Sequence, residues 1–247
     1  MRIKLVSDLH LEFDNKYEFE EDALNKETVL ILAGDICAKR AMRRAFIEDA
    51  CELFKHVIMV AGNHDYYGST IKATIDRLRK IDSENENFHF LEDDNITLDG
   101  VMFIGATLWS QVLRPRVFNN INDTYKIKVG DRRFNLNDMN LINYNSKGYI
   151  DYVLGENKDA KKVVITHFPP TMEFIAPRFK GDSLNEYFYN TGMDYIIPKA
   201  DMWLWGHTHS FVDEMVENTR CVCNPLGYVP YNEFTGYKHD LILELQV

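Results

Sequence analysis

Val60-Ala61-Gly62-Asn63-His64-Asp65 shows the pattern around which this chain is organised. A short apolar run ends there in a glycine and three polar side chains. A buried strand that stops in this way leaves its last residues at the edge of a sheet. The same pattern occurs at four other places along the chain. Apolar runs lead into Asp8-Leu9-His10, Gly34-Asp35, His167 and Gly206-His207-Thr208-His209. We therefore predict five strands with polar carboxyl ends.

Between these runs the apolar spacing becomes that of helices. Residues 39–55 carry apolar side chains near the 3.6-residue period, which predicts a helix, and a second helix begins after a cap at Ser69 or Thr70. From Val212 onward the pattern alternates, which indicates antiparallel strands. Strands that alternate with helices predict an α/β sheet with crossover connections. In the first helix, the residues expected to face solvent are Arg40, Arg43 and Arg44.

The composition indicates a globular protein. A chain of 247 residues with 45% hydrophobic residues can bury a substantial core, and the lack of repeats and linkers predicts one domain over residues 1–247. A net charge of −10 argues against broad binding of nucleic acid. The start of the chain resembles no signal peptide, and no stretch has the roughly 18 apolar residues of a membrane span. We expect a cytoplasmic protein without membrane contacts; its oligomeric state is not indicated.

Residues 108–150 interrupt the alternation of strands and helices. Such a loop-rich insertion is often functional, so the segment is either a flap over the site or a plain surface excursion. A helix is expected from about Asn137 to Leu154. The segment also holds a local cluster of basic residues, which could meet a phosphate or simply face solvent. These basic residues are Arg114, Arg116, Lys126, Lys128, Arg132 and Arg133.

The polar strand ends form a candidate metal site. In open α/β sheets ligands bind at the carboxyl ends of strands, so all five ends can converge in one crevice. Carboxylate, amide and imidazole groups suit divalent ions such as Mn²⁺, Fe or Zn²⁺, and the four cysteines, which form no CxxC pair, are predicted to be structural or free. The set exceeds what one ion takes and fits two ions that share a carboxylate. Its members are Asp8, His10, Asp35, Asn63, His167, His207 and His209.

These blocks, in this order, resemble the signature blocks of the calcineurin-like metallophosphoesterases over residues 3 to about 209. Asn224-Pro225-Leu226-Gly227-Tyr228 further resembles a late segment of small bacterial and phage phosphoesterases. The resemblance implies a four-layer α/β/β/α sandwich with mixed sheets and two metals at the strand ends. A turn built on Pro225 and Gly227 would equally account for the late segment.

The resemblance also implies roles for individual residues. Asp8, His10 and His209 would hold one metal, and Asn63, His167 and His207 the second, with Asp35 bridging. His64 would be the catalytic histidine, and Asp65 would orient it. Two such ions, about 4 Å apart, supply a bridging hydroxide that attacks phosphorus, and His64 can give a proton to the leaving oxygen.

The departures from related patterns bear on the substrate. Protein Ser/Thr phosphatases continue the second block to Asp-Arg-Gly and end the third in Glu, whereas this chain has Ile36-Cys37-Ala38-Lys39 and Asp65. We therefore expect a phosphodiesterase acting on a nucleotide-like or other small diester. The alternatives are a phosphomonoesterase or protein phosphatase, a nuclease that uses the basic cluster, and a non-catalytic scaffold on the same fold.

Overall fold

The computed structural model describes residues 1–20, 22–157 and 159–246. The strands within these ranges alternate with helices in the first half and cluster toward the end of the chain. They are β1 (Arg2–Val6), β2 (Thr28–Ala33), β3 (His56–Val60), β4 (Ser69–Thr70), β5 (Phe88–Phe90), β6 (Asp94–Leu98), β7 (Val101–Ala106), β8 (Ile127–Val129), β9 (Arg132–Arg133), β10 (Lys161–Thr166), β11 (Met202–Trp205), β12 (Val212–Val216), β13 (Thr219–Cys223) and β14 (Ile242–Glu244).

Three of the helices are long, and the others in the described ranges are single turns. The α-helices are α1 (Arg40–Leu53), α2 (Ile71–Glu84), α3 (Pro115–Phe118), α4 (Asp123–Lys126), α5 (Leu136–Glu156) and α6 (Asn185–Phe188). The predicted cap of α2 is confirmed, because the Thr70 hydroxyl accepts a hydrogen bond from the amide of Ala73 at 3.1 Å. Asn135 and Asp138 form a capping box at the start of α5.

Two mixed sheets carry the fold. The first has the order β14-β1-β2-β3-β5, in which β14 runs antiparallel to β1, and the second has the order β12-β13-β11-β10-β7-β6, with antiparallel strands at both edges. A third, small sheet of β4, β8 and β9 lies apart from them. Because the central strands of both large sheets are parallel, their carboxyl ends lie at one edge of each sheet.

The core has three layers, as strands buried on both faces require. Ile31 of β2 packs between the two large sheets with Phe103 of β7, whereas Leu32 packs on the outer face of the first sheet with Ile47 of α1. Ile150 of α5 covers the outer face of the second sheet. The side chains alternate between layers with the period of two that strands impose. The predicted four-layer α/β/β/α sandwich is confirmed.

One prediction about α1 is wrong. Arg43 does not face solvent with Arg40 and Arg44: it is 2% exposed and its guanidinium is paired with Asp65. The reason lies in the helix period, because position 43 is three and four residues before the buried Phe46 and Ile47 and shares their face.

Residues 108–150 are more than a surface excursion. They contain α3, α4, β8, β9 and most of α5, and apolar side chains of the segment, such as Trp109 and Phe134, are buried in the core beneath α1 and α2. The predicted helix near Asn137–Leu154 is α5. Whether the segment acts as a flap stays a prediction.

Candidate active site

Every predicted ligand follows a strand at the carboxyl edge of one of the two sheets. Asp8 and His10 follow β1, Asp35 follows β2 and Asn63 follows β3, all in the first sheet. His167 follows β10, and His207 and His209 follow β11, in the second sheet. The site therefore lies where the two parallel sheet edges meet.

The backbone at these ends is unusual. Five of the seven predicted ligands are non-glycine residues with φ between 44° and 67°. That left-handed region costs energy for residues with a Cβ and persists where the surrounding structure enforces it, commonly at functional sites. Gly206 lets the backbone after β11 pass close to the Asp8 carboxylate, because a Cβ at this position would lie 2.6 Å from a carboxylate oxygen of Asp8. The five strained ligands are Asp8, His10, Asp35, His207 and His209.

The first ligand group is compact. The Nε2 atoms of His10 and His209 lie 3.2 Å apart, and the Nε2 of His209 lies 3.4 Å from Asp8 Oδ1. Ligand atoms of these three residues lie within 4.8 Å of one another. His10 Nδ1 is buried without a hydrogen-bond partner among the described residues. Two imidazole nitrogens and a carboxylate directed at one point form a donor set that fits a divalent cation.

Asp35 lies between this group and the next. Its Oδ2 is 3.7 Å from His10 Nε2, and its Oδ1 is 3.5 Å from His167 Nε2. Burial acts to raise the pKa of Asp35, but the neighbouring His167, His64 and His10 outweigh it and hold the pKa well below its usual value. The carboxylate is therefore ionised and faces both groups of ligands.

The second group consists of Asn63, His167 and His207. Asn63 Oδ1 lies 3.2 Å from His167 Nε2, and His167 Nδ1 donates to the carbonyl of Ala33, which leaves Nε2 to face the site. The His207 ring lies 5.0 Å from that of His167, and its Nε2 is buried with no partner in the described part of the chain. Burial and the nearby His167 lower the pKa of His207 well below its usual value, so it is neutral and able to bind metal.

His64 lies beside both groups but its ring is engaged elsewhere. Its Nδ1 donates to Glu12 Oε1 at 2.9 Å, and its Nε2 is 3.4 Å from the hydroxyl of Tyr228. Its backbone amide donates to Asp35 Oδ1 at 2.8 Å. The imidazole is thus held next to Asp35, with one edge toward the pocket.

The prediction that Asp65 orients the His64 ring is wrong. Asp65 Oδ2 accepts from the amides of Asp35 and Gly62, each at 2.9 Å, and Oδ1 accepts from Arg43 and from the amide of Cys37. Both oxygens are turned away from His64, because the turn that follows Asn63 points the two adjacent side chains in different directions. Asp65 instead links the loops after β2 and β3 through hydrogen bonds to their backbone amides.

Two further carboxylates support the ligands, and sequence reasoning missed both. Asp123 of α4 accepts from Asn63 Nδ2 at 3.1 Å, which directs Oδ1 of that amide to the site. Glu233 accepts from His209 Nδ1 at 2.7 Å and thereby presents Nε2 of that ring. Burial acts to lower the pKa of His209, but the hydrogen bonds to Asp8 and Glu233 outweigh it and raise the pKa to about 10. The raised pKa reflects the negative charge that surrounds the His209 ring, and the same negative charge favours the binding of a metal cation.

A cavity of about 480 Å³ opens over these residues. Its walls include the aromatic rings of Tyr67, Tyr187, Phe188 and Tyr228. From residues 108–150, the lining includes Asn120, Ile121 and Asn122. The volume exceeds that of a phosphate group and admits an organic substituent.

Four of the six basic residues of the 108–150 cluster have side-chain partners within the protein. Arg114 is paired with Glu186, and Arg132 with Asp138. Lys126 and Arg133 lie over the rings of Tyr67 and Tyr125. Among the described residues that line the cavity, the only Lys or Arg is Arg178, from a different segment.

Known proteins share this sequence pattern and fold. The sequence model of the calcineurin-like phosphoesterases matches residues 1–211. The uncharacterized protein L509 of Acanthamoeba polyphaga mimivirus is 29% identical over 100% of this chain and 99% of that protein. The phosphopantetheinyl hydrolase PptH of Mycobacterium tuberculosis matches with a TM-score of 0.68 and 16% identity over 92% of this chain and 89% of its own. TT1561 of Thermus thermophilus matches with a TM-score of 0.56 and 13% identity over 91% and 88%.

Fold, ligand geometry and sequence match together define a metal-dependent hydrolase of phosphoric esters. The chain belongs to the calcineurin-like phosphoesterase family. In the part of the chain that the structure describes, no helix has the length and apolar character needed to span a membrane.

Proposed function

We propose that this protein is a dinuclear-metal phosphodiesterase that acts on a nucleotide-like or other small diester. The observation that carries the proposal is the position of Asp35, whose two oxygens face two separate groups of proposed ligands. Asp35 also lines the cavity, which is large enough for a small organic substrate. A carboxylate placed in this way suits the bridging position of a two-metal site.

The residues divide between two ions as the sequence resemblance implies. Asp8, His10 and His209 would hold one ion, Asn63, His167 and His207 the other, and Asp35 would touch both. Two divalent ions, Mn²⁺ in our expectation with Fe or Zn²⁺ as alternatives, would supply Lewis acidity toward the phosphoryl oxygens and a nucleophile from water at neutral pH. The buried His207 Nε2, which has no partner among the described residues, supports the second position.

The charge of the cavity favours a diester over a monoester. A diester carries one negative charge and a monoester about two. Beyond the two proposed metal ions, the described cavity lining offers one arginine, the exposed Arg178, and it also includes the carboxylates of Asp182 and Glu233. Aromatic walls favour an organic group on the substrate. The fold likeness to a phosphopantetheinyl hydrolase is compatible with a small organic phosphoester, although at 16% identity it supports the fold alone.

His64 is proposed as the catalytic residue. His64 lines the cavity, its Nδ1 is held by Glu12, and its Nε2 lies 3.4 Å from the hydroxyl of the cavity residue Tyr228. The ring can therefore give a proton from Nε2 to the oxygen that leaves phosphorus. Burial acts to lower the pKa of His64, but the carboxylates of Asp35 and Glu12 outweigh it and raise the pKa above its ordinary value. The protonated form is therefore available near neutral pH. The cytoplasmic location stays a prediction.

The test compares two chromogenic substrates with each candidate metal. We expect the Mn²⁺-loaded protein to hydrolyse bis(p-nitrophenyl) phosphate with a higher kcat/KM than p-nitrophenyl phosphate. A preference for the monoester would replace the proposal with a phosphomonoesterase. If neither substrate is hydrolysed with Mn²⁺, Fe²⁺ or Zn²⁺, the proposal that the protein hydrolyses simple phosphate esters is wrong.

A further inference from the structure

We propose that Glu12 is the positioning residue of His64, fixing the proton on Nδ1 so that Nε2 faces the leaving oxygen. The inference rests on the proposed function only for the catalytic role of His64. The contact itself is independent of that role, because it is a feature of the fold.

Both oxygens of the Glu12 carboxylate form hydrogen bonds. Oε1 lies 2.9 Å from His64 Nδ1, and Oε2 accepts from the backbone amide of Ala38 at 3.0 Å. Its side chain is 9% exposed. A carboxylate fixed by a backbone amide on one side presents its other oxygen in a defined direction.

The backbone around Glu12 aims the side chain at His64. Glu12 lies in a single turn of 3₁₀ helix, Leu11–Phe13, and the flanking residues His10 and Asp14 both have left-handed backbone angles, with φ of 44° and 60°. Residues with a Cβ seldom adopt such angles twice within five positions. The chain thus turns sharply after the proposed metal ligand His10, and this turn places the Glu12 carboxylate next to His64.

The direction of the hydrogen bond settles the tautomer. An ionised carboxylate only accepts, so His64 Nδ1 must carry a proton when it contacts Glu12. The remaining ring nitrogen, Nε2, lies 3.4 Å from the Tyr228 hydroxyl at the cavity wall.

Two other nearby carboxylates, those of Asp65 and Asp35, form no hydrogen bond to the His64 ring among the described residues. Asp65 is bound to Arg43 and to three backbone amides, and Asp35 contacts the backbone amide of His64. The faces and edges of the His64 ring meet Tyr67 at 4.3 Å and His10 at 4.4 Å between centroids, which restricts its rotation but does not select a tautomer.

Glu12 also approaches a metal ligand, and this defines the competing explanation. Its Oε1 lies 3.5 Å from His10 Nδ1, beyond hydrogen-bond distance but within the range of an ion pair. If Glu12 acted mainly through His10, its removal would lower metal affinity rather than proton transfer. The experiment therefore has to measure metal content and turnover together.

The experiment compares Glu12→Ala and Glu12→Gln with wild type, alone and combined with His64→Ala. We expect Glu12→Ala to lower kcat about 10- to 100-fold with KM and metal content unchanged. Glu12→Gln retains an acceptor oxygen and should recover part of kcat. In the His64→Ala background, removing Glu12 should cost nothing further. Glu18→Gln, an exposed change in the same segment, is the matched control.

An independent readout uses ¹⁵N-histidine NMR of the protein loaded with diamagnetic Zn²⁺. The Nδ1–H resonance of His64 should be visible in wild type and Glu18→Gln and lost in Glu12→Ala. An Nδ1–H signal unchanged in Glu12→Ala, a further loss of kcat in the His64→Ala background, or loss of metal from Glu12→Ala would each overturn the proposal. If wild type hydrolyses no phosphoester, the proposed function fails, and the NMR result alone still decides the role of Glu12.

Discussion

Arg43 and Asp65 form a buried ion pair beneath the active site, with Arg43 Nη1 3.1 Å from Asp65 Oδ1 and both side chains at most 3% exposed. The same guanidinium nitrogen also donates to the backbone carbonyls of Cys37 and Asp65. The pair therefore joins α1 to the loops that carry two of the proposed metal ligands, Asp35 and Asn63.

Breaking this pair should lower stability. Asp65→Asn leaves the Arg43 charge buried without its partner, which typically costs about 3–5 kcal/mol of unfolding free energy. The measurement is urea unfolding followed by circular dichroism. Arg44→Gln, in which an exposed arginine of the same helix loses its partners Glu48 and Glu84, is the control and should cost less than about 1 kcal/mol. Unchanged stability of Asp65→Asn together with a large loss of kcat would restore a catalytic role for Asp65.

His64→Ala should separate catalysis from metal binding. A proton donor to the leaving oxygen contributes about 10²–10⁴ to the rate, so kcat should fall by that factor while metal content stays as in wild type. The loss should be larger for esters of poor leaving groups than for p-nitrophenyl esters. His56→Ala, at the opposite end of β3, is the control. Loss of metal from His64→Ala would show that this histidine is a ligand, as its closeness to His10 and Asp35 permits.

Asp123→Asn should weaken the second metal position. Asp123 is buried and accepts hydrogen bonds from Asn63 Nδ2, Tyr67 and Tyr187, so its loss frees the Asn63 amide to turn. Changes to such supporting groups typically cost about 10- to 100-fold in metal affinity. Metal titration by calorimetry measures the effect, with the exposed Asp131→Asn of the same segment as control. Equal affinities in the two variants would rule out this role.

Glu92 should make stability depend on pH. Burial, assisted by nearby Asp93, raises the pKa of Glu92 from 4.5 to about 7, while Thr107 and Tyr66 hydrogen bond to its carboxyl group. The folded protein then binds more protons than the unfolded chain between those pH values. Its unfolding free energy falls as pH rises through this window.

Glu92→Gln removes that proton uptake, so its stability should exceed that of wild type by up to about 3 kcal/mol at pH 8, with the difference vanishing near pH 4. Denaturant unfolding at a series of pH values measures this, and the exposed Glu86→Gln serves as control. Parallel pH profiles for wild type and Glu92→Gln would contradict the buried-carboxyl account.

The sequence predicted the parts of this protein that are encoded locally. The seven predicted metal ligands follow five apolar runs, so each strand and its polar end could be read together. The alternation of strands with helices along much of the chain favours a parallel arrangement. The burial of Arg43 was also readable, since it shares the face of Phe46 and Ile47. The prediction of an exposed Arg43 follows the general tendency of charged helix residues to face solvent, which the buried pairing with Asp65 overrides here.

The supporting carboxylates could not be predicted in the same way. Glu12 meets His64 across 52 positions, and Asp123 meets Asn63 across 60. Both lie in single helical turns that carry no periodic pattern. Their contacts arise from how the loops pack. The family resemblance instead implied Asp65 for the role, and the structure turns that side chain toward Arg43.

We propose that Asp35 joins two metal positions. The most direct test is the metal content of the Mn²⁺-reconstituted protein by mass spectrometry, for wild type, Asp35→Asn and the exposed control Asp14→Asn. A bridging carboxylate predicts two ions per chain in wild type and control, and fewer than two in Asp35→Asn. One ion per chain in wild type, or two ions retained in Asp35→Asn, would contradict a bridging role for Asp35.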